Sequence, residues 1–587
     1  MNRRVLFGLS LFALMLSACG NASSSAESLP SSSDDSSSLS EDSSILAPTL
    51  EKLRFQLLPD GKSYEVRALS EDIEGVVVIP ATYQGLPVTR FHDCAFMECD
   101  KITSIDIPST IAYIDFDGFL FTELLERVTI DPENAVYSSY DGAILDKEQA
   151  EFLFCPAGKK GTYSIPDSVL LVRALAFSDC AKLTAINIPA SVTKIGDNAF
   201  SECLSLLSLN VDKANRAFSS VEGVLLNKTQ TTIILCPPGK KGSYLAPGTV
   251  DTIEKSAFNE CRFLTSIELP HGLLTIRAFA FLGCSALISI NIPDTVVAIE
   301  KGAFKECSEL QSIRIPASVD TLELSAFERC YALEAINVDA GNQYYSSNQG
   351  ALLNEEGTQL LLCPAGKQGA FIVPSGVTSI LDWAFDYCGK LTSVHIPESV
   401  AEIGDAFRFC PAISAFYVAE ENTHYSSKEG VLFNKDATIL LCCPSGKSGD
   451  YDIPSGVIVL QPSCFDECAL LESATLPEGI ATLPKYAFYL CEKLSRVTLP
   501  STLKSIGDSA FYGCSSLSSI VLPANMNEIG SMAFGGCQAL SSIAFLGTKA
   551  QWNAVNFLDE DWASGILATS VSCSDGVVPI VTQSEEE

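Results

Sequence analysis

Positive charge is scarce in this sequence of 587 residues, which has 38 Lys and Arg against 71 Asp and Glu and a formal net charge of −33. Electrostatic binding to nucleic acid needs clustered Lys and Arg that neutralise phosphates, so the composition excludes that class of protein. The same shortage argues against docking on anionic lipid through basic patches. Apolar residues make up 47% of the chain, which excludes global disorder. We therefore expect a mostly folded protein with no nucleic-acid partner.

Long apolar runs and familiar catalytic motifs are also missing. Beyond residue 50, no apolar run reaches the 18 or more residues of a membrane-spanning helix. No C-x-x-C occurs, which excludes a zinc ribbon or a thioredoxin-like site, and no G-x-S-x-G occurs. The four widely spaced His residues indicate neither a metal cluster nor a recurring catalytic base. We therefore expect no catalytic residue, no metal, no cofactor and no enzyme activity. The His residues are His92, His271, His395 and His424.

The first nineteen residues have the features of a bacterial lipoprotein signal. Two Arg residues precede the apolar run 5–16, which is too short to span a bilayer but suits a signal peptide. The run leads into Leu16-Ser17-Ala18-Cys19, which resembles the lipobox of bacterial lipoproteins, where the Cys is diacylated after cleavage. We predict a lipoprotein signal peptide over residues 1–18 and lipid attachment at Cys19. The alternative is a plain signal peptide followed by an accidental Cys.

A segment rich in Ser follows. Residues 21–46 contain 13 Ser among 26 residues, several Asp and Glu, and no aromatic residue. Such a segment cannot bury enough apolar surface to fold. We predict a disordered Ser-rich, acidic tether over residues 19–47, with an ordinary folded composition after it.

A 23-residue repeat dominates the rest of the chain. Its consensus is A-F-x-x-C-x-x-L-x-x-I-x-I-P-x-x-V-x-x-I-G, and self-similarity at such a period is typical of solenoids. The L-x-x-I-x-I part predicts a very short strand with alternate side chains inward, and the Pro that follows ends it. A single coil cannot cover its own apolar edge, so neighbouring coils must stack. Two uninterrupted runs contain Phe258, Phe281, Phe304 and Phe327, and Phe488, Phe511 and Phe534.

Four copies of the repeat carry an insertion of 35 residues, which lengthens the spacing between successive Phe residues from 23 to 58. Each insertion opens with an apolar-x-apolar strand and closes with another before Pro. We therefore expect a hairpin-like enlargement of one coil that leaves the stack unbroken. Counting the strands of the I-x-I type predicts about nineteen coils, which at about 4.8 Å each form a stack about 90 Å long. Every insertion contains Cys-Pro-x-Gly-Lys, beginning at Cys155, Cys236, Cys363 and Cys443.

The Gly-Lys of the last insertion is a partial match to a phosphate-binding loop. A Walker A motif would need Gly at position 441, and Leu441 stands there. The same Gly-Lys recurs in the other insertions without Ser or Thr behind it. We therefore predict a turn with an exposed Lys rather than a nucleotide site.

Residues from about Tyr64 to Gly576 resemble the BspA-like leucine-rich-repeat surface proteins of bacteria, on the strength of the repeated Ala-Phe-x-x-Cys and Ile-x-Ile-Pro. The resemblance implies a right-handed leucine-rich-repeat solenoid of short parallel strands with a 3-10 or turn-rich convex side. It also implies a cell-surface location, with adhesion or matrix binding as in some members, and no enzyme activity. We predict an N-terminal capping coil over 48–90, the solenoid over 91–545, and a C-terminal cap with an acidic tail over 546–587.

The 22 Cys residues fall mainly in two repeated positions, thirteen in the repeat and four in the insertions. Coils about 4.8 Å apart lie within reach of a disulfide bridge, so a disulfide ladder is one interpretation. The other, which we favour, is a row of small buried thiols that fill the corner of each coil. The pattern lapses where Thr122 replaces Cys and where Cys464 replaces Ala.

The middle residue of each I-x-I strand is expected to face solvent on the concave side, where solenoids bind ligands. The alternative is a face that is only solvated. The row also includes Thr129, Thr475 and Thr498, and it becomes apolar at Val521 and Ala544. A second candidate surface is the insertion tips, with Tyr137, Phe218, Tyr344, Tyr345 and Tyr425, which are either exposed contact residues or buried under the hairpin. The candidate ligand-binding residues of the row are Asp106, Asn187, Asn210, Glu268, Asn291, Arg314, Asn337, His395 and Tyr417.

Together these features predict a monomeric protein on the outer face of the bacterial envelope, attached to the membrane only by its N-terminal lipid. Its partners would be protein or glycan ligands of host matrix or neighbouring cells, bound through the concave row or the insertion edge. One alternative is a structural envelope scaffold with no specific soluble ligand. Another is a hydrolase hidden in the insertions, although no insertion carries paired carboxylates or a Ser/His pair that the others lack.

Overall fold

The computed structural model describes residues 49–580 of the 587-residue chain. The predicted signal peptide, Cys19 and the predicted tether lie outside the described residues. The chain divides into two units, Met1–Glu51 and Lys52–Glu587, and the repeats lie in the second. In the described part of the chain, no helix is both long and apolar enough to cross a membrane.

Each coil of the second unit contributes one short strand to a row of parallel strands, which we call the first sheet. Successive strands pair in register, as where Ile267 pairs with Ile290 of the next coil. Nineteen strands run from β3 to β47 and β49 extends the row, which confirms the predicted repeat solenoid of short parallel strands. The strands are β3 (Glu74–Val78), β6 (Lys101–Ile107), β7 (Arg127–Ile130), β11 (Gly161–Ser164), β13 (Leu183–Ile188), β15 (Ser208–Val211), β19 (Lys241–Leu245), β21 (Phe263–Glu268), β23 (Ser289–Asn291), β25 (Ser312–Ile315), β27 (Ala335–Val338), β31 (Gly369–Ile372), β33 (Leu391–Ile396), β35 (Ala415–Val418), β39 (Gly449–Asp452), β41 (Leu471–Thr475), β43 (Arg496–Thr498), β45 (Ser519–Leu522), β47 (Ser542–Phe545) and β49 (Ser570–Cys573).

The V-x-x-I part of the repeat forms a second row of parallel strands, most of them two residues long, which we call the second sheet. The strands are β5 (Leu86–Phe91), β12 (Leu171–Val172), β14 (Lys194–Ile195), β20 (Thr252–Ile253), β22 (Thr275–Ile276), β24 (Ala298–Ile299), β26 (Thr321–Leu322), β32 (Ser379–Ile380), β34 (Glu402–Ile403), β40 (Val459–Leu460), β42 (Thr482–Leu483), β44 (Ser505–Ile506), β46 (Glu528–Ile529) and β48 (Asn556–Phe557).

The Ala-Phe-x-x-Cys segments form the turns that lead from the second sheet back to the first, and we call this line of turns the turn ridge. The Phe rings stack from coil to coil in the core, with centroids 5.0 Å apart for Phe258 and Phe281. The residue before Cys takes a left-handed backbone conformation, with φ 61° at Glu260 and 63° at Glu306. The Glu260 N–H then donates to the Leu282 carbonyl at 2.8 Å, so the turn is bonded to the next coil. Single 3-10 turns occur here at η1 (Phe116–Phe119) and η2 (Leu324–Phe327).

The recurring Cys side chains are buried inside the turn ridge and donate to the preceding coil. The Cys307 thiol donates to the Phe281 carbonyl at 3.2 Å. Where an insertion precedes the coil, its Cys supplies the acceptor, as the Cys236 carbonyl does for the Cys261 thiol at 3.6 Å. No disulfide joins any of the 21 cysteines within residues 49–580. The structure therefore agrees with packed thiols and not with a disulfide ladder.

Each insertion folds as a three-stranded antiparallel meander whose third strand joins the second sheet. The pairing of β16 with β17 and of β17 with β18 is antiparallel, and β18 then pairs in parallel with β20. The insertions are therefore hairpin-like, as predicted. Their strands are β8 (Tyr137–Tyr140), β9 (Ala143–Asp146), β10 (Glu151–Phe154), β16 (Phe218–Val221), β17 (Val224–Asn227), β18 (Thr232–Leu235), β28 (Tyr345–Asn348), β29 (Ala351–Asn354), β30 (Gln359–Leu362), β36 (Tyr425–Lys428), β37 (Val431–Asn434) and β38 (Ile439–Cys442).

The middle strand of each meander separates two parts of the hydrophobic core. In β17, Leu225 packs into the cluster of the preceding coils, while Val224 and Leu226 pack into the cluster of the following coils. The other three middle strands alternate in the same way. Because successive strand residues point to opposite faces, one buried strand can serve two cores. The interior is thus divided into five clusters by four partition strands.

The expectation that insertions leave the stack unbroken is wrong for the first sheet. Its hydrogen-bonded ladder stops at β7, β15, β27 and β35 and restarts at β11, β19, β31 and β39. It is also interrupted between β23 and β25 and between β43 and β45, where no insertion lies. At the second break the hairpin turn takes the place of the next strand, because the Leu209 N–H donates to the Gly223 carbonyl at 2.9 Å. A Cβ on Gly223 would lie 2.9 Å from the Ser208 Cα, and its φ is 81°, so Gly suits both the approach and the turn.

The Cys-Pro-x-Gly-Lys element ties each insertion to the coil before it. The Gly239 N–H donates to the Leu206 carbonyl at 2.9 Å, and a Cβ on Gly239 would lie 2.7 Å from that oxygen. The prediction that this Lys is exposed is wrong. Lys240 Nζ donates to the Glu222 carbonyl at 2.7 Å and lies 5.4 Å from the Tyr244 ring centroid. Only 13% of the Lys240 side chain is exposed. This Lys clamps the hairpin turn onto the coil.

The described ends of the solenoid depart from the repeat. At one end β1 (Leu53–Leu57) pairs antiparallel with β2 (Tyr64–Ala68), and β4 (Thr82–Tyr83) pairs antiparallel with β5. At the other lie α1 (Lys549–Trp552), η3 (Glu560–Ala563) and the antiparallel strand β50 (Gly576–Pro579). The boundaries that we placed at 90/91 and 545/546 remain predictions.

Candidate functional site: the face of the first sheet

The middle residues of the I-x-I strands form one outward row, which we call the first-sheet face. The predicted residues occupy it and meet as neighbours on adjacent strands, as Glu268 does with Asn291 and Arg314 with Asn337. Asp106 is half-buried and lies opposite Thr129. The remaining predicted members lie in two other groups along the row. The structure thus brings these residues together in pairs rather than in one cluster.

Four members of the row, which the insertions contribute, were not predicted from the sequence. Their signal is an aromatic-x-aliphatic-Pro pattern at the end of each insertion, as in Phe371-Ile372-Val373-Pro374. The closing strand of each insertion pairs in parallel with the next first-sheet strand, which puts its x residue into the row. These residues are Ser164, Leu245, Ile372 and Asp452.

The hairpin turns of the insertions divide the first-sheet face into sections. The same contact recurs at all four, because a carbonyl of the turn Gly accepts a bond of 2.8 or 2.9 Å from the last strand before the insertion. The outward side chains between two successive turns are of one chemical type, and this type differs from section to section. The donor and acceptor pairs are Val128 and Gly142, Leu209 and Gly223, Ile336 and Gly350, and Phe416 and Gly430.

The section between the first two insertions is a chain of amides and a hydroxyl. Asn210 Nδ2 donates to Asn187 Oδ1 at 3.0 Å, and Asn187 Nδ2 donates to Ser164 Oγ at 2.9 Å. The ladder runs across three adjacent strands in register. It offers a ligand directional polar contacts, although its inner donors and acceptors already bond one another.

The next section is charged, and its Arg is held by its own neighbours. Arg314 Nε donates to Asp339 Oδ1 at 2.8 Å, and Nη2 donates to Asp294 Oδ1 at 2.7 Å and to Asp339. These hydrogen bonds, first to Asp339 and then to Asp294, raise the pKa of Arg314. A ligand carboxylate would have to compete with two protein carboxylates, so Arg314 is a poor anion receptor. In the same section Leu245 and Glu268 are exposed.

The section between the third and fourth insertions is apolar and aromatic. His395 and Tyr417 stack with their ring centroids 4.7 Å apart and their planes 27° apart. Ile372 lies beside His395 in register on the adjacent strand. Tyr417 is 52% exposed and Ile372 is 57% exposed. An exposed Tyr anchored by a neighbouring ring is the kind of side chain that dominates binding energy at interfaces.

The aromatic residues at the insertion tips are mostly structural, which corrects one candidate surface. The hydroxyl oxygens of Tyr137, Tyr345 and Tyr425 accept hydrogen bonds of 3.0 to 3.2 Å from backbone N–H groups of the preceding coil. Phe218 is half-buried at the same position, and only Tyr344 of this set is exposed, at 55%. Of the two possibilities considered above, burial under the hairpin describes Tyr137, while Phe218, Tyr345 and Tyr425 are half-buried.

A buried Asn at the start of each insertion was missed by sequence analysis. In the second insertion, Asn215 donates to two carbonyls of the preceding coil and accepts from the N–H groups of Ala217 and Phe218. The signal was an Asn four residues after the end of the I-x-I strand pattern. The equivalent residues are Asn134, Asn342 and Asn422.

Titratable groups do not gather into a metal or catalytic site in the part of the chain that the structure describes. No group of three or more His, Cys, Asp and Glu there could hold a metal ion. Burial raises the pKa of Cys307 well above its ordinary value, so the thiol stays protonated and poorly reactive. The predicted lipid-attachment residue, Cys19, lies outside the described residues.

A family model for the BspA type leucine rich repeat region matches the chain in six copies. The matched residues are 82–142, 149–234, 243–349, 367–433 and 444–560, which is well over half of the chain. The chain belongs to the BspA-type leucine-rich repeat family. This identification agrees with the observed coils of 23 residues and confirms the expected family. No curated protein matches the chain.

Three solved structures of bacterial proteins are similar to this BspA-type protein. A leucine-rich cell surface protein of Faecalibacterium prausnitzii is 23% identical, with 86% of this chain and 96% of that chain covered and a TM-score of 0.33. The pneumococcal vaccine antigen PcpA is 19% identical, with 75% and 86% covered and a TM-score of 0.33. A leucine-rich repeat protein of Eubacterium ventriosum is 21% identical, with 67% and 92% covered and a TM-score of 0.29.

Proposed function

We propose that this BspA-type protein is a lipid-anchored cell-surface protein that binds protein or glycan ligands through its first-sheet face. The observation that carries the proposal is the exposed group of Ile372, His395 and Tyr417, which we call the aromatic section. A solenoid core needs only the inward residues of each strand, so an outward stacked pair is free to serve recognition. Membership of a family with bacterial cell-surface relatives supports the location.

The aromatic section is a better candidate than the other sections of the face. The amides of Asn187 and Asn210 bond each other, and Arg314 bonds two carboxylates, so a ligand must displace existing bonds there. Tyr417 and Ile372 expose apolar surface to solvent. A ligand that covers this surface gains binding free energy without displacing a protein contact. Ligands with an apolar or ring face, such as aromatic side chains of a protein or the pyranose rings of a glycan, fit this chemistry.

The test is a binding screen of the full chain against arrays of glycans and purified extracellular-matrix proteins. Tyr417→Ala should lower the affinity for the captured ligand at least tenfold, as expected for an interface anchor. The matched control is Tyr113→Ala, because Tyr113 is exposed to a similar degree, 48%, away from the first-sheet face. Equal affinity of the Tyr417→Ala variant and the intact chain would reject this site.

The lipid anchor is proposed separately and has its own test. The sequence Leu16-Ser17-Ala18-Cys19 predicts acylation of Cys19. The Cys19→Ala variant, expressed in a bacterium with lipoprotein processing, should lose incorporation of labelled fatty acid and leave the membrane fraction. Undiminished labelling of the variant would contradict the anchor without affecting the binding proposal.

A further inference from the structure

The turn ridge carries a second exposed aromatic surface, on the coils around residues 328–467. Tyr387 stacks on Phe409 with centroids 4.8 Å apart and planes 9° apart, and Tyr331 meets Tyr387 edge-on at 6.3 Å. Trp383 lies on the same coil as Tyr387 and is 59% exposed. We call Tyr331, Trp383, Tyr387 and Phe409, with the charged residues around them, the ridge patch. It belongs to the A-F-x-x-C turns and not to the first-sheet face.

The coil does not require a Trp at position 383. Trp383 precedes Ala-Phe by one position and has a left-handed backbone with φ 61°. Other coils place Ser256 and Gly302 at this position, with φ 59° and 61°. Large residues stand at this position as well, as Phe279 and Tyr486 do, both with φ 58°. The turn therefore accepts small and large side chains alike, and the exposed ring of Trp383 is available for contact with another molecule.

Six carboxyl groups surround these rings, and in the described chain only Glu328 among them has an ion pair within 4 Å, with Lys305 and Arg329. Arg329 is occupied by Glu306 at 3.0 Å and Glu328 at 3.7 Å. Arg408 lies 5.4 Å from the Phe409 ring centroid, and in the described chain no ion pair within 4 Å joins it to a carboxylate. Lys390 donates to the Tyr331 carbonyl, and Lys305 Nζ lies 2.9 Å from Glu328. The carboxylates of the patch are Glu328, Asp382, Asp386, Asp405, Asp466 and Glu467.

Two of these carboxyls are buried enough to resist ionisation. Burial, opposed by Arg408, raises the pKa of Asp386 to about 7. Burial and then the charge of Glu467 raise the pKa of Asp466 to about 7. The Asp405 N–H donates to Asp382 at 2.8 Å, and the Trp383 N–H donates to the Asp405 carbonyl at 2.8 Å, so Trp383 is flanked by acidic residues. A cation brought over Trp383 would be attracted by Asp382 and Asp405, which flank it.

We propose that the ridge patch is a second binding surface, which takes a cationic segment of a partner protein with an Arg or Lys side chain over Trp383. A guanidinium or ammonium over an indole face gains attraction from the ring quadrupole, and neighbouring carboxylates add Coulombic attraction. An anionic ligand would be repelled by the same carboxylates, and a neutral one would gain nothing from them. Arg is the better match, because its planar group both stacks on rings and bonds carboxylates.

Tryptophan fluorescence of the full chain reports on this site. The sequence has three Trp residues, and the other two, Trp552 and Trp562, are buried in the core near the end of the repeats. Acrylamide quenching therefore measures mainly the exposure of Trp383. The probe is a tetra-arginine peptide with an amidated end at about 0.15 M salt. Tetra-arginine should protect Trp383 from quenching, whereas tetraglutamine and tetraglutamate should not. Equal protection by tetraglutamine, or none by tetra-arginine, would overturn the proposal.

Calorimetric titration of variants with tetra-arginine locates the surface. Trp383→Ser should weaken binding about two- to fivefold, the value of an exposed cation–π contact. It should fold normally, because Ser already stands at the equivalent positions of other coils. Asp405→Asn should weaken binding as well. The matched control is Tyr486→Ala, at the same turn position with φ 58°, which should bind tetra-arginine like the intact chain.

Binding of tetra-arginine to the ridge patch should not depend on the first-sheet face. Tyr417→Ala should leave the affinity for tetra-arginine unchanged, even if the function proposed for the first-sheet face fails. An unchanged affinity in Trp383→Ser, or a loss in Tyr417→Ala or Tyr486→Ala as large as in Trp383→Ser, would show that tetra-arginine binds through the general acidity of the chain and would overturn the assignment to the ridge patch.

Discussion

The Nδ2 group of Asn215 donates a hydrogen bond of 2.9 Å to the carbonyl oxygen of Val192 in the preceding coil. The same nitrogen donates to the Pro189 carbonyl at 2.8 Å, and Oδ1 accepts from the Ala217 and Phe218 N–H groups, both at 2.8 Å. One fully buried side chain thus satisfies four backbone groups where the repeat gives way to an insertion. A buried polar backbone group without a partner is costly, so this Asn stabilises the junction.

Asn215→Ala should therefore destabilise the coils that meet at the second insertion. We expect a loss of about 3 kcal/mol of unfolding free energy, since buried backbone groups would be left unpaired. Hydrogen exchange of the amides in β13, β15 and β17 measures the local effect, and urea unfolding measures the overall one. Asn291→Ala is the control: Asn291 is exposed on the first-sheet face, and its removal should change stability by less than about 0.5 kcal/mol. Equal stability of the two variants would contradict the role of Asn215.

The cysteines should behave as thiols that are shielded until the chain unfolds. Burial raises the pKa values of Cys284, Cys307 and Cys514, which makes their thiols unreactive in the folded chain. Titration of the unfolded, unreduced chain should detect a thiol for each of the 21 cysteines described. In the folded chain, rapid labelling should be confined to half-exposed residues such as Cys573. Recovery of only two or three thiols after unfolding would show that the cysteines are paired.

The Gly of the Cys-Pro-x-Gly-Lys element should be intolerant of a side chain. Gly239→Ala places a Cβ 2.7 Å from the Leu206 carbonyl oxygen, so the insertion must move away from the coil. We expect a loss of about 2 kcal/mol, within the range of overpacked sites. Gly248→Ala is the matched control, because a Cβ there would meet no heavy atom within 4 Å. Thermal unfolding should give a lower melting temperature for Gly239→Ala than for Gly248→Ala. A similar melting temperature for the two variants would argue against the close approach.

Asp466 should make part of the stability depend on pH. Burial raises its pKa to about 7, so the folded chain holds a proton that the unfolded chain has already released near its ordinary pKa. This contribution to stability is fully present below the unfolded pKa and is lost as the pH rises through about 7. Asp466→Asn should therefore lose less stability than the intact chain between pH 5 and pH 8. The control is Asp197→Asn, at an exposed residue of another coil. An identical pH profile for Asp466→Asn and the intact chain would contradict the effect of burial.

The sequence predicted the solenoid because each coil repeats the same inward residues at a fixed period. Phe258 and Phe281 stack, and Ile267 and Ile290 pair, since a 23-residue spacing returns the chain to the same place in the next coil. It also predicted which residues face outward, including His395 and Tyr417, because side chains alternate along a strand. A repeated local pattern of this kind is therefore enough to predict both the coil and the side chains that face outward.

Contacts between segments far apart in the sequence could not be predicted in the same way. The partition by β17 depends on a middle strand that packs against coils on both sides, which no single repeat encodes. The clamp by Lys240 depends on a turn 18 residues earlier, and the neutralisation of Arg314 depends on Asp294 and Asp339 from neighbouring coils. The contact between Tyr331 and Tyr387 on the turn ridge likewise forms only because the 35-residue insertion between them folds as a separate meander.

The central claim is that ligands bind at the aromatic section of the first-sheet face. Hydroxyl-radical footprinting of the full chain, with and without the ligand captured in the binding screen, measures it most directly. The account predicts that bound ligand protects Tyr417 and His395 from oxidation, while Tyr113 and Tyr344, which are also exposed, react as before. Unchanged oxidation of Tyr417 in the saturated complex, with protection elsewhere on the solenoid, would contradict it.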